Sequence, residues 1–154
     1  MAHIHRSGPV WSEDIPVALT STVPSFTIQV GDLVANQSGA TPAASFTWDT
    51  DLATTQTAFA AAFLGVAASR SRAASTDARD LSVLVDQTGV IECDCTSANY
   101  TVGQLVGPAK DTGNNLKQAV VGVATKALAI GRVLEAGTSL TRVKIALLNT
   151  IPLR

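Results

Sequence analysis

The chain has 154 residues, with 11 Lys and Arg against 12 Asp and Glu, so its formal net charge at pH 7 is −1. Charged residues make up 15% of the chain, whereas an ordinary soluble domain carries roughly 25%. A hydrophobic fraction of 46% excludes a wholly disordered chain. The near-zero net charge argues against a nucleic-acid binder, because phosphate neutralisation needs clustered Lys and Arg. Low charge favours a domain whose surface meets other proteins.

Residues 1–24 differ from the rest of the chain and are predicted to form an extended N-terminal arm. Pro9, Pro16 and Pro24 prevent a continuous helix over this segment. The arm is too apolar for a terminal segment that stays in solvent, so we expect it to lie along a surface, either the chain's own or that of a neighbouring subunit. The candidate capsid or intersubunit contact residues are Val10, Trp11, Ile15, Val17 and Leu19.

Residues 25–154 are predicted to form one β-rich domain, a compact barrel or sandwich. Short apolar stretches recur about every ten residues with Gly, Pro or Asn between them. Alternating apolar residues predict strands over 26–30 and 44–48. The stretches 81–85 and 90–95 flank Gln87-Thr88-Gly89 and are expected to form a hairpin. Further apolar stretches cover 66–68, 100–107, 119–124, 127–135 and 141–148.

One short α-helix is predicted at about 54–64. Asp51 or Thr54 can cap its N-terminus, several alanines favour it, and Gly65 is placed to end it. Phe59 and Phe63 are four residues apart and would share one helix face as core anchors.

A short internal echo suggests that one supersecondary unit is used twice. Residues 30–34 read VGDLV and residues 102–106 read VGQLV, with four of five positions identical. Each is followed, after an excursion, by Gly-Val-Ala, at 65–67 and at 122–124. The pattern predicts a tight turn, a strand and a returning strand in both places.

No catalytic, cofactor or metal site is predicted. The only histidines, His3 and His5, lie in the arm, and no nucleophile elbow or phosphate-binding loop occurs. Cys93 and Cys95 are expected to be reduced thiols, consistent with folding in a reducing cytoplasm. An enzyme is therefore the weakest interpretation of the chain.

Two pairs of carboxylates and one cluster of arginines are explained by structural positions rather than by a catalytic or binding role. Glu92 and Asp94 are expected on the solvent side of an amphipathic strand, and Asp49 and Asp51 at a turn or a helix N-terminus. The arginines at 70, 72 and 79 lie in a Ser/Ala-rich loop without interleaved aromatic residues, so nucleic-acid stacking is unsupported. The longest low-polarity run, 58–68, is too short to cross a bilayer, and we predict no membrane association.

Seven segments of the chain, spread over about 25–148, carry a resemblance to a known family. They are VGDLV at 30–34, FLGVA at 63–67, LSVLVDQTGVIECDC at 81–95, YTVGQLVGPA at 100–109, QAVVGVA at 118–124, AIGRV at 129–133 and TRVKIAL at 141–147. Together with Thr47-Trp48, this pattern resembles the head decoration, or cement, proteins of tailed bacteriophages.

The resemblance implies a structural protein without catalytic residues. Such a protein would be made in the host bacterial cytoplasm and would bind the outer capsid surface of the virion. Its expected partners are the major capsid protein, whose neighbouring subunits it would clamp, and further copies of itself, with a trimer favoured. The alternatives are another virion subunit, such as a tail-tube or fibre-base protein, and a small carbohydrate- or peptide-binding β module. A binding module would need exposed aromatic residues, such as Trp48 and Tyr100 side by side in a groove.

Overall fold

A computed structural model describes residues 26–37, 39–46, 51–71, 89–111 and 115–148, and the backbone alone of Asp14–Ala18 and Ser82–Asp86. Over these residues the fold is mainly β, with a closed five-stranded barrel and one α-helix, which confirms the predicted fold class. The strands are β1 (Asp14–Ala18), β2 (Leu33–Asn36), β3 (Ala40–Pro42), β4 (Phe63–Ala67), β5 (Ser82–Asp86), β6 (Val90–Tyr100), β7 (Leu105–Lys110), β8 (Leu116–Gly122), β9 (Gly131–Val133) and β10 (Gly137–Leu147), and the helix is α1 (Leu52–Ala61).

Strands β6–β10, here called the C-terminal unit, form the closed barrel. Its strands follow one another in the order β6-β10-β9-β7-β8, and β8 returns to β6. Neighbouring strands run antiparallel except β6 and β8, which pair in parallel where Cys95 lies opposite Val120. One parallel pair is required because an odd number of strands cannot alternate in direction around a closed ring.

Strands β1–β5, here called the N-terminal unit, form an antiparallel sheet in the order β1-β5-β4-β2-β3. Adding five to each strand number gives the order of the barrel, so the two units share one topology. No pairing between described residues joins β1 to β3, which is where the equivalent strands of the barrel meet.

The likeness between the units extends to the pairing register. Matched register pairs are Leu33↔Val66 with Leu105↔Arg132, Val34↔Gly65 with Val106↔Gly131, and Ile15↔Val85 with Ile91↔Ile145. The predicted repeat is therefore a property of the fold. The return strand of the second repeat was wrongly predicted at 122–124. Gly122 belongs to β8, where it pairs with Val106 of β7, and the strand equivalent to β4 is β9.

The main hydrophobic core is shared by both units, so they do not fold around separate centres. Its buried members include Leu33 and Val66 from the N-terminal unit, Phe59 from helix α1, which precedes β4, and Ile91 and Ile145 from the C-terminal unit. A second, smaller cluster lies within the N-terminal unit and consists of Ile28, Val34, Ala40, Leu64 and Ala67. The shared core fixes the position of one unit against the other.

Helix α1 begins two residues earlier and ends three residues earlier than predicted. The Asp51 carboxylate accepts a hydrogen bond from the Ala53 N–H at 3.0 Å, which confirms one of the two predicted caps. The helix ends before Gly65 because Phe63 pairs with Ala35, and strand pairing in β4 replaces further helix. Phe63 is still a core anchor, with its ring 5.9 Å from that of Phe59.

Three predicted β features differ in the structure. Residues 26–29 form no regular strand, and Val30 lies in a turn. The predicted strand at 44–48 is a 3-10 turn over Ala43–Ser45 as far as the described residues reach, with 47 and 48 outside them. The predicted hairpin of 81–85 with 90–95 is also wrong. Here β5 pairs with β1 and β4 while β6 pairs with β10 and β8, so the short connection between them joins the two units.

Candidate functional site

The predicted contact residues fall partly within a strand of the N-terminal unit. Ile15 and Val17 lie in β1, at register positions opposite Val85 and Val83 of β5. Val10, Trp11 and Leu19 lie outside the described residues. The segment 14–18 of the predicted arm is thus built into the chain's own sheet.

Among the residues that the structure describes, strand β1 stands at one edge of the five-stranded sheet and pairs only with β5. An edge strand offers main-chain hydrogen-bonding groups to which a neighbouring chain can add a strand. Pro16, at the centre of β1, has no N–H to donate, and proline is one of the devices that limit uncontrolled pairing at edges. The edge therefore suits a defined partner better than random association.

Two turns of the same geometry, one in each unit, are further candidate contact sites. In turn 29–32 the Asp32 N–H donates to the Gln29 carbonyl at 3.1 Å, and in turn 101–104 the Gln104 N–H donates to the Thr101 carbonyl at 3.1 Å. The third residue of each turn is a glycine with positive φ, 92° at Gly31 and 84° at Gly103. These are the features of type II turns, in which glycine is favoured at that position.

Each turn is held by its last side chain and by the neighbouring strand. The Asp32 carboxylate accepts from the Gln29 N–H at 2.8 Å, and the Gln104 amide oxygen accepts from the Thr101 N–H at 3.0 Å. The N–H groups of both turn glycines donate, at 2.8 Å each, to carbonyls of the return strands, at Ala67 in β4 and Val133 in β9. Three matching hydrogen bonds in each turn therefore hold the backbone on both sides of its second residue.

That second residue is an exposed valine in both turns. Val30 is 46% exposed and Val102 is 66% exposed, and with Leu134 at 43% they are the exposed large hydrophobic residues of the part of the chain that the structure describes. Leu134 follows Val133, to which turn 101–104 is bonded, so Val102 and Leu134 lie at the same end of the barrel. The repeated sequence at 30–34 and 102–106 was the feature from which these two exposed valines could have been predicted.

A charged surface covers the β6–β10 side of the barrel. Arg142 pairs with Asp94 at 3.1 Å and Lys144 with Glu135 at 3.1 Å, and Lys144 is also the register partner of Glu92. Glu92 and Asp94 are thus on the outer side of an amphipathic strand, as predicted. An open cavity of about 290 Å³ lies among these side chains. Exposed pairs of mixed sign contribute little stability, and they favour no one class of ligand.

The buried titratable groups belong to the framework. Burial raises the pKa of Cys93 to about 12, and burial also raises the pKa of Cys95 and of Tyr100. Both cysteines are free thiols, as predicted. Tyr100 is only 2% exposed and its hydroxyl donates to the Thr96 carbonyl at 2.9 Å, so its ring offers no open platform for a sugar or peptide.

The described residues contain no group of three or more His, Cys, Asp or Glu side chains placed to hold a metal ion. Within the same residues, no helix has the length and apolar character needed to cross a membrane. The candidate site consists of two kinds of interaction feature, the β1 edge and the two turns that expose Val30 and Val102. A scan against family models and searches of curated proteins and of solved structures find no match to this chain.

Proposed function

We propose that the chain is a structural virion protein that binds the outer surface of a phage capsid and cements neighbouring copies of the major capsid protein. The observation that carries the proposal is the β1 edge. It brings two of the predicted contact residues, Ile15 and Val17, to the border of a sheet at which a neighbouring chain can add a strand. The resemblance of about residues 25–148 to phage head decoration proteins is the reason to propose the major capsid protein as that partner.

The composition of the chain supports a binding role. Charged residues are few in the whole chain, and the centres of protein interfaces are depleted of charge. The described parts of the two units share one core, so little conformational entropy is lost in them when the chain docks. Many moderate contacts on a repeating shell sum by avidity. We propose that the chain acts as a homotrimer, the state that the resemblance implies.

Cryo-electron microscopy of the virion that contains this chain is the direct test. The expected result is density for this fold on the outside of the capsid lattice, with β1 beside a neighbouring subunit. Density in the tail, or none on the particle, would overturn the proposal. The mass of the purified protein in solution tests the trimer separately.

A binding assay with shells stripped of the chain tests the predicted arm contacts. Removing residues 1–13 deletes Val10 and Trp11 but keeps β1, whereas removing residues 1–20 would also take a strand away from β5. The shorter deletion should weaken co-sedimentation with shells and leave the unfolding midpoint unchanged. Full retention of shell binding would remove Val10 and Trp11 from the contact set.

A further inference from the structure

The repeated turn sequence contains one identity that the fold itself does not explain. Of the four residues shared by 30–34 and 102–106, the glycine is favoured by its positive φ. The final valine, Val34 in one unit and Val106 in the other, is fully buried. The leucine, Leu33 or Leu105, occupies a matched register position and is buried or half-buried. The first valine is the exception, because it is exposed in both units.

A type II turn does not demand valine at its second position. Most residues adopt the backbone angles required there, and proline is the favoured choice. A polar side chain at 30 and 102 would serve the turn equally well and would expose less apolar surface. Because Val30 and Val102 are 46% and 66% exposed, their identity is better explained by a contact outside the chain.

We propose that Val30 and Val102 are twin contacts that engage equivalent apolar sites on two neighbouring copies of the major capsid protein. This inference rests on the proposed function and deepens it, since it names how one chain would bridge two subunits. The same side chain, on the same turn, with the same hydrogen bonds to a return strand, fits the same complementary site. Two such turns on one rigid chain match a surface on which that site recurs.

The rigidity of the connection makes the pairing effective. The two turns are joined through a shared core rather than through a linker, so engagement of the first turn presents the second at a fixed distance. Binding of the second then becomes intramolecular, which raises overall affinity by a factor of about 10² to 10⁴ when the spacing matches. The contacts are equivalent at the valines and differ in their surroundings, because Leu134 is exposed at the same end of the barrel as Val102 while the matching position after Ala67 is the smaller Ala68.

The test compares Val30→Thr, Val102→Thr and the double variant in co-sedimentation with capsid shells stripped of the chain. Threonine keeps the β-branched shape and replaces one methyl group by a hydroxyl. Each single variant should lose roughly tenfold in apparent affinity, because the new hydroxyl must be desolvated in one of the two apolar contacts. The double variant should fall below both. Ala127→Ser, at another exposed position, is the matched control and should bind like the wild type.

The outcomes separate the two proposals. If the wild-type chain does not bind shells, the proposed function fails and the twin contacts fail with it. If the wild type binds and either single valine variant binds equally well, the twin contacts alone are overturned. Unfolding midpoints of all variants should match the wild type. If one is lowered, the virion map decides, since both valines must lie within contact distance of equivalent positions on two neighbouring subunits, and a valine facing solvent refutes the inference.

Discussion

The side-chain oxygen of Gln118 lies 2.7 Å from the backbone nitrogen of Leu33 and accepts its hydrogen bond across the boundary between the two units. A second bond crosses the same boundary, from the Gln56 side chain in α1 to the Pro108 carbonyl in β7, also at 2.7 Å. Together with the shared core, these bonds tie β2 and α1 to strands β8 and β7 of the barrel.

Replacing Gln118 by Leu should destabilise the whole chain. The Leu33 N–H would lose its acceptor in a largely buried setting, which costs about 1–3 kcal/mol. The free energy of unfolding is measured by urea denaturation, with Gln37→Leu at an exposed position as the control. Unfolding should remain a single transition in the wild type. Two separate transitions would contradict a shared core.

Two glycines of the C-terminal unit should respond very differently to alanine. A Cβ at Gly103 meets nothing within 4 Å, so Gly103→Ala carries only the cost of the φ of 84°, about 1–2 kcal/mol. A Cβ at Gly107 would be placed 2.2 Å from the backbone oxygen of Leu128, so strand β7 and the 3-10 turn Lys126–Leu128 would have to move apart. Urea denaturation should therefore rank Gly107→Ala as clearly the more destabilising. The reverse order would contradict this geometry.

The sequence was sufficient for the elements that depend on local pattern. The β class, the Asp51 cap and the free thiols follow from alternation, capping chemistry and spacing. The repeat at 30–34 and 102–106 could be recognised because both units have a glycine at the positive-φ position and a valine at the buried position.

The elements that depend on long-range pairing could not be predicted. Strands β5 and β6 are joined by a turn-like sequence, yet they belong to different sheets, and only the pairing of β5 with β1 and β4 decides this. The helix ends early because Phe63 pairs with Ala35, a contact that helical spacing does not reveal. The equivalence of β9 with β4 was hidden because Arg132 and Val133 replace Val66 and Ala67, while the misleading Gly-Val-Ala at 122–124 begins at the end of β8.

The carboxylate of Asp32 should make stability depend on pH in a direction set by burial. Burial raises the pKa of Asp32, and the hydrogen bond from the Gln29 N–H lowers it by less. The folded state therefore holds the proton more tightly than the unfolded chain. The ordinary pKa of an aspartate side chain is 3.8. As the pH rises from that value through the raised pKa of the folded state, the contribution of Asp32 to the free energy of unfolding falls, and it stays low at neutral pH.

Asp32→Asn tests this expectation, because Gln104 shows that a neutral amide can hold the equivalent turn. At pH 7 the variant should have a higher free energy of unfolding than the wild type, and the difference should shrink towards pH 4. Asp32→Ala removes the acceptor as well as the charge, so it should be less stable than Asp32→Asn at every pH. A constant difference between Asp32→Asn and the wild type across this range would contradict the raised pKa.

Both cysteines should react slowly with a thiol reagent in the folded protein, unlike a redox-active or catalytic thiol. Because burial raises the pKa of Cys93 to about 12, only about one molecule in 10⁴ would carry its thiolate at pH 8, and the side chain is 1% exposed. Cys95 is half-buried, its pKa is also raised by burial, and its thiol donates to the Leu140 carbonyl at 3.3 Å. A thiol reagent should therefore label the folded protein slowly, and at Cys95 first, whereas urea should release two rapidly reacting thiols. In the Cys95→Ala variant the slow labelling of the folded protein should disappear. Rapid labelling of Cys93 in that folded variant would contradict its burial and would show that the barrel opens far more readily than its closed strand order implies.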